Sequence, residues 1–241
     1  MNISEVTDAL ILKAIKYDDS SVIVHAYTRR FGLESYLARG VRKKGAKIRI
    51  ALLQPMNLTQ MTVVKNKKGR LHIIKELTLS PMYASIPFDL KKNAIIIFIN
   101  EVLGKILKEE TPHEELFDFL KEYLIELDHA TNNYSNTHLF MLAQLTQYLG
   151  ILPNFDRTGW FDMLEGVSVV NKPIHDYFIA HEERFLFETL FSTDQKEQKH
   201  LKFTNEQRAM LLNMLTAYYA IHIPGTDRLK SKEILHVVLQ G

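Results

Sequence analysis

Five short, mainly apolar runs separated by polar clusters lie between residues 6 and 80: Ala9–Ile15, Val22–Tyr27, Leu33–Ala38, Leu58–Val64 and Leu71–Leu77. The runs are rich in the β-branched and aromatic residues that suit a pleated sheet. Polar clusters punctuate them: Tyr17-Asp18-Asp19-Ser20, Arg29-Arg30-Phe31-Gly32, the stretch 39–49 and Asn66-Lys67-Lys68-Gly69. Five strands this short predict a small closed barrel.

Beyond Pro81 and Pro87 the period changes. Ile95, Phe98, Ile99, Val102, Leu103, Ile106 and Leu107 recur at helical spacing, and Leu116, Phe119, Leu120, Tyr123, Leu124 and Leu127 repeat the pattern after Pro112. A third helix is expected from Ser135 to Leu149, where Gly150 and Pro153 stop it. Residues 154–180 lose this period, and Trp160–Val170 reads as a hairpin turning at Glu165-Gly166. Helices return at 205–222 and 232–239, capped by Thr204 and Ser231 and separated by Pro224-Gly225. The expected class is α+β. A five-stranded barrel at 1–80 precedes an α-helical domain at 81–241, which carries a small β-hairpin insert at 154–180. Among small barrels the OB-fold is the commonest polyanion binder, although an SH3-like barrel would give a similar pattern.

Charge sharpens this division. Residues 1–80 hold 15 Lys and Arg against 6 Asp and Glu, a net of +9, whereas residues 81–241 hold 15 against 22, a net of −7. The densest segment places six bases, Arg39, Arg42, Lys43, Lys44, Lys47 and Arg49, within eleven residues without one acid. Charge runs are commonly just solvated loops. Here Arg29, Arg30, Lys65, Lys67, Lys68 and Lys75 add to the same small domain. Clustered bases displace the counterions condensed on a phosphate chain, which gives salt-sensitive binding with little sequence preference. Tyr27, Phe31 and Tyr36 lie near the basic stretch. An OB barrel can present such rings for unpaired bases to stack on, or bury them as core; Phe31 reads as core and Tyr27 and Tyr36 as stacking candidates.

Other chemistry is absent from the pattern. Gly40-x-x-x-x-Gly45 is followed by Ala46 and Lys47 instead of the Lys-Ser/Thr of a phosphate loop. The ten histidines show no His-Glu-x-x-His spacing, no Gly-x-Ser-x-Gly turn occurs, and the pairs Glu109-Glu110, Glu114-Glu115 and Glu182-Glu183 sit where helix ends favour acids. With no cysteine there is no disulfide, thiolate nucleophile or Cys-ligated metal, which fits a reducing compartment. Met1-Asn2-Ile3-Ser4-Glu5 lacks a basic stretch followed by an apolar one, and the run Ala94–Ile99 is too short to cross a bilayer. The expectation is a cytoplasmic, non-enzymatic protein without cofactor or metal.

The segment Val22–Lys44, containing Arg29-Arg30-Phe31-Gly32 and Arg39-Gly40-Val41-Arg42-Lys43-Lys44, resembles the N-terminal barrel of the RecO family of bacterial recombination mediators. Leu52-Leu53-Gln54-Pro55-Met56-Asn57-Leu58, Tyr148-Leu149-Gly150-Ile151-Leu152-Pro153-Asn154 and Leu229–Leu239 are similar to later family segments, in the right order across nearly the whole chain. The resemblance implies an OB-fold followed by a helical domain. It implies binding of single- and double-stranded DNA and annealing of complementary strands, including strands coated by the single-stranded-DNA-binding protein. It further implies action with RecR, and in some bacteria RecF, to load RecA, so that the chain would work at the nucleoid. Many members carry a four-cysteine zinc module where this chain has Asp156–Asp162, so packing around Trp160 and Phe161 is expected in its place.

The resemblance places DNA contacts on Arg39, Arg42, Lys43 and Lys44, to which the charge pattern adds Lys47, Arg49, Lys65, Lys67 and Lys68. It also implies an apolar pocket rimmed by bases for the acidic tail of the single-stranded-DNA-binding protein, with Arg157, Arg228, Lys230 and Lys232 as candidates. Two other classes stay open: a non-catalytic protein-binding adaptor whose basic loop meets an acidic partner, and an RNA-binding OB-fold protein.

Overall fold

The structure, a computed structural model, describes residues 4–66, 69, 71–108, 111–156 and 159–240. Two compact units share the chain: Met1–Asp89 with Ile96–His129, and Leu90–Ile95 with Ala130–Gly241.

In the first unit five strands close into a barrel: β1 (Ser4–Lys16), β2 (Val22–Thr28), β3 (Gly32–Ala38), β4 (Leu58–Val64) and β5 (Leu71–Leu79), in the order β1-β2-β3-β5-β4. β1 is long enough to pair with both β2 and β4, and an irregularity between Ile11 and Lys13 lets it bend around the barrel. β3 runs parallel to β5 and the other pairs are antiparallel, the Greek-key order of an OB-fold. Alternation decides what faces inward. Val22, Val24 and Ala26 of β2 join Ala9, Ile11, Tyr36, Ala38, Met61, Val63 and Ile74 in a dry core. Three alanines leave room in a narrow lumen for the Tyr36 ring. A 3₁₀ turn, Ile50–Leu53, adds Leu53 to the same core.

Two helices follow, α1 (Leu90–Ile106) and α2 (Glu114–His129). Leu116, Phe117, Leu120, Leu124 and Leu127 form the buried stripe of α2, and Glu114 and Glu115 stand at its N-terminus, where the helix dipole favours acids. The opposite end also holds the chain. The Asp128 carboxylate accepts the backbone N–H groups of Ala84 (2.7 Å), Ser85 (2.9 Å) and Ile86 (2.8 Å). Burial opposes its ionisation, but these donors outweigh burial and hold its pKa below the usual carboxylate range. The division expected at residue 80 follows the change of secondary structure. The compact units divide the chain differently, with Ile96–His129 grouped with the barrel.

The second unit contains α3 (Thr137–Tyr148), β6 (Trp160–Asp162), β7 (Val167–Val169), β8 (Phe178–Ile179), α4 (His181–Ser192), α5 (Gln195–Gln198), α6 (Asn205–His222) and α7 (Ser231–Gln240). Thr204 caps α6 as expected: its hydroxyl accepts the Gln207 N–H at 3.2 Å, and the Gln207 side chain returns the bond to the Thr204 N–H at 2.9 Å. The expected hairpin is β6–β7, with Trp160 opposite Val169. It is part of a three-stranded sheet, because β8 pairs with the other edge of β6 through Phe161 and Ile179. Gly166 ends the turn at φ 69°, and a Cβ there would lie 2.6 Å from the Tyr218 hydroxyl.

Candidate nucleic-acid interface

The connection from β3 to β4 contains the basic stretch. Val41 and Ile48, each 4% exposed, are members of the barrel core and fasten the loop at two points. Two tight turns shape the loop, closed by Lys43 N–H to Gly40 O (3.1 Å) and Ala46 N–H to Lys43 O (3.1 Å); Gly45, third residue of the second, supplies the positive φ of 76° that this turn requires. The Arg42 N–H donates to the Ser20 carbonyl at 3.3 Å, which ties the loop to the β1–β2 connection. With two apolar anchors inward, Arg39, Arg42, Lys43, Lys44, Lys47 and Arg49 are all exposed.

Their partners differ. Lys47 Nζ lies 2.7 Å from Glu76 of β5, and this hydrogen bond holds the Glu76 carboxyl below its usual range. Among the described residues, Arg39, Arg42, Lys43, Lys44 and Arg49 form no ion pair. Five unneutralised cations on one anchored loop make a local positive field suited to a phosphate chain.

Three other candidates are engaged elsewhere, which corrects the sequence reading. Tyr36 is fully buried in the barrel core, where its hydroxyl donates to Glu34 at 2.6 Å; burial and that bond push its pKa up. Tyr27, 2% exposed, is covered by Phe117 of α2 with ring centroids 6.1 Å apart, its hydroxyl donates to the His113 carbonyl at 3.3 Å, and burial pushes its pKa up to about 12. Neither ring can stack on a base. Lys65 forms an ion pair with the partly buried Glu34 and sits 4.1 Å from the centre of the Phe31 ring, so its charge is already matched. Lys67 and Lys68 lie outside the described residues.

Arg29 and Arg30 are likewise committed. Arg29 bridges Glu114 and Asp118 of α2 at 2.8 Å each, and its hydrogen bond holds Asp118 below the usual carboxylate range. Lys121 reaches Asp8 of β1 at 2.9 Å. Arg30 pairs with Glu5 at 3.1 Å. These bases fasten elements together instead of facing a ligand.

In the second unit Arg157 lies outside the described residues. Arg228 is exposed beside Asp227 (3.6 Å), Lys230 is exposed, and Lys232 is half-buried, donating to the Thr216 hydroxyl at 2.9 Å with its pKa pushed down by burial. The notch among α3, α6 and α7 is lined by Arg208, Leu212, Leu235, Leu239 and Gln240, and none of the three described candidates borders it. Arg208 itself donates to Asn136 (2.9 Å), Asn205 (2.7 Å) and the Phe203 carbonyl (3.3 Å).

The donor set does not fit zinc. The chain has no cysteine, and among the described residues no three His, Asp or Glu side chains come together. Aromatic packing holds the segment instead. Phe161 lies 5.0 Å from Phe155, 5.5 Å from Phe187 and 6.0 Å from Tyr218 between ring centroids. Trp160 packs edge-on against Phe178 at 5.2 Å. Asp162 accepts the Leu164 and Glu165 N–H groups, and His175 lies 3.1 Å away, so one carboxylate ties the hairpin turn to the β7–β8 connection.

The family model for the N-terminal part of recombination protein O matches residues 1–83, and the one for its C-terminal part matches residues 87–233. The chain belongs to the RecO family. The DNA repair protein RecO of Flavobacterium psychrophilum is 33% identical over 236 residues, covering 96% of this chain and 98% of that protein. RecO of Christiangramia forsetii is 32% identical over 237 residues, with the same coverage of both chains. RecO of Azobacteroides pseudotrichonymphae is 30% identical over 235 residues, again with that coverage. The basic loop thus belongs to an OB-fold barrel in a RecO-family DNA repair protein. Among the described residues no helix is long and apolar enough to cross a membrane.

Proposed function

We propose that this RecO-family chain is a non-catalytic recombination mediator. It binds single- and double-stranded DNA through the 39–49 loop, anneals complementary strands and helps load RecA onto DNA coated by the single-stranded-DNA-binding protein. RecR, and in some bacteria RecF, act beside it, and the helical half docks the acidic tail of the coat protein. The chain works in the cytoplasm at the nucleoid.

The observation that supports this reading most is the set of five exposed cations without an ion-pair partner among the described residues, Arg39, Arg42, Lys43, Lys44 and Arg49, on a loop fixed to the barrel by Val41 and Ile48. Phosphate contacts of this kind hold a strand without reading its sequence, which annealing of arbitrary complements requires. Two strands screened on one cationic surface are brought close while their bases stay open to pairing. No nucleotide need be hydrolysed.

The test is annealing of two bare complementary oligonucleotides followed by fluorescence quenching, with wild-type protein and the charge-reversed variant R42E/K43E/K44E. Acceleration by wild type and its loss in the folded variant is the expected result. Equal acceleration by both overturns the assignment of the loop. No acceleration by either, with acidic proteins retained on the loop, moves the reading to a protein-binding adaptor. Preference for RNA over DNA in competition moves it to RNA binding.

A further inference from the structure

One segment of the first unit displays apolar side chains that neither the basic loop nor the barrel core uses. Between Glu76 and Asp89, twelve consecutive residues carry no charge. Within them Pro81, Met82, Ala84, Pro87 and Phe88 are exposed, Met82 by 75% and Phe88 by 86%.

The backbone that carries them is tied down. The Ser80 N–H donates to the Leu58 carbonyl at 3.0 Å, and the Tyr83 hydroxyl donates to the Met56 carbonyl at 2.8 Å. The Asp128 carboxylate accepts the N–H groups of Ala84, Ser85 and Ile86, and the Ile86 side chain is 1% exposed. The Phe88 N–H closes a turn onto the Ser85 carbonyl at 2.9 Å. Anchored groups are thus interspersed with displayed ones, and the apolar side chains stand out from a fixed backbone. A surface preorganised in this way loses little conformational freedom when it is covered.

We infer that the segment Pro81–Phe88 is a self-association surface covered by a second copy of this chain. Size supports this. The five displayed residues leave about 450 Å² of mainly apolar surface open, and a standard interface buries roughly 800 Å² per partner, a little over half of it apolar. Single exposed apolar residues are ordinary, but this much on one segment is in the range that marks an interface. Charge points to a second copy as the occupant. A two-fold contact sets a patch against itself, so a charged side chain would meet its own like. From Leu77 to Phe88 there is none, and an acidic or basic partner would find nothing there to pair with. The consequence of this contact, though not the contact itself, rests on the DNA-binding reading above. Two copies put two 39–49 loops on one particle, and annealing needs two strands held together. A strand on each loop raises the local concentration of its complement.

The experiment is sedimentation velocity of the full chain from about 1 to about 100 µM, followed by annealing of bare complementary oligonucleotides. Wild type is expected to pass from monomer to dimer across that range. F88D, at an exposed position outside the core, is expected to weaken dimerisation at least about thirtyfold. It removes an aromatic anchor from both sides of the contact and sets like charges together. F88L keeps the surface apolar and is expected to stay within a few-fold of wild type, which separates a lost contact from a lost fold. At concentrations where wild type is dimeric, F88D is expected to bind one strand as wild type does but to anneal several-fold more slowly. A wild type that stays monomeric to about 100 µM, or an F88D variant that dimerises equally well, overturns the inference. Equal annealing by F88D and wild type overturns the link from dimer to strand pairing. R42E/K43E/K44E is expected to dimerise normally without binding DNA. If it binds DNA as wild type does, the loop assignment falls while the self-association surface stands.

Discussion

Removing part of the loop charge gives a quantitative test of which cations touch phosphate. Arg39, Arg42, Lys43, Lys44 and Arg49 are the loop cations without a carboxylate partner among the described residues, whereas Lys47 is held by Glu76 at 2.7 Å. If all five meet phosphates of a single strand, the slope of log affinity against log salt is about −3.5, from about −0.7 per contact. Neutralising three in R42A/K43A/K44A leaves two contacts and a slope of about −1.4. Raising salt from about 50 to about 200 mM then weakens wild type by about 130-fold and the variant by only about 7-fold. The assay is anisotropy titration of a labelled oligonucleotide at four or more salt concentrations, with thermal melts to confirm that the exposed substitutions leave the fold intact. K47A serves as an internal control and is expected to change the slope little, because Lys47 is matched by Glu76 and is not counted among the phosphate contacts. An unchanged slope in the triple variant refutes the reasoning, since those side chains would then not face phosphate.

Other consequences of the structure are as direct. Y36F is expected to bind DNA like wild type but to lose about 1–3 kcal/mol of stability in urea melts, because Glu34 loses a buried donor. G166A should destabilise by about 1–3 kcal/mol, since alanine at φ 69° is strained and its Cβ meets the Tyr218 hydroxyl; an unchanged midpoint would show that the turn relaxes freely. His138 is fully buried, and burial together with nearby Arg208 pushes its pKa down to about 3. The unfolded chain therefore binds a proton that the folded one refuses. That stability is present above the unfolded pKa of 6.5 and is lost as pH falls towards 3, about 2 kcal/mol of it by pH 5. H138F, provided it folds, should flatten the acid limb of the stability profile; an identical limb would exclude His138 as its source.

The barrel was legible because a run of β-branched and aromatic residues between polar turn clusters is a local signal, and each of its five strands contains the run expected from it. The basic loop was legible for the same reason, its charge being written in consecutive residues. What failed to show was which face of each strand looks inward. Leu33 and Leu37 are as apolar as Ala38, so β3 alone does not say that Tyr36 faces the core. Tyr27 and Lys65 were misread because their partners are distant: the carbonyl that holds Tyr27 is 86 residues away, and Glu34 precedes Lys65 by 31. The third strand of the insert is only two residues long, Phe178–Ile179, too short for any period to register. Helix α4 was missed since its apolar stripe, Phe187 and Leu190, adjoins the buried Arg184, which reads as a polar interruption.

The measurement closest to the central claim is annealing of complementary strands coated with the cognate single-stranded-DNA-binding protein, with and without this chain. Acceleration by wild type that vanishes in R42E/K43E/K44E, with the variant still bound to the coat protein, is the predicted result. A wild-type chain that is folded and binds the coat protein, yet leaves the annealing rate unchanged, would contradict the account.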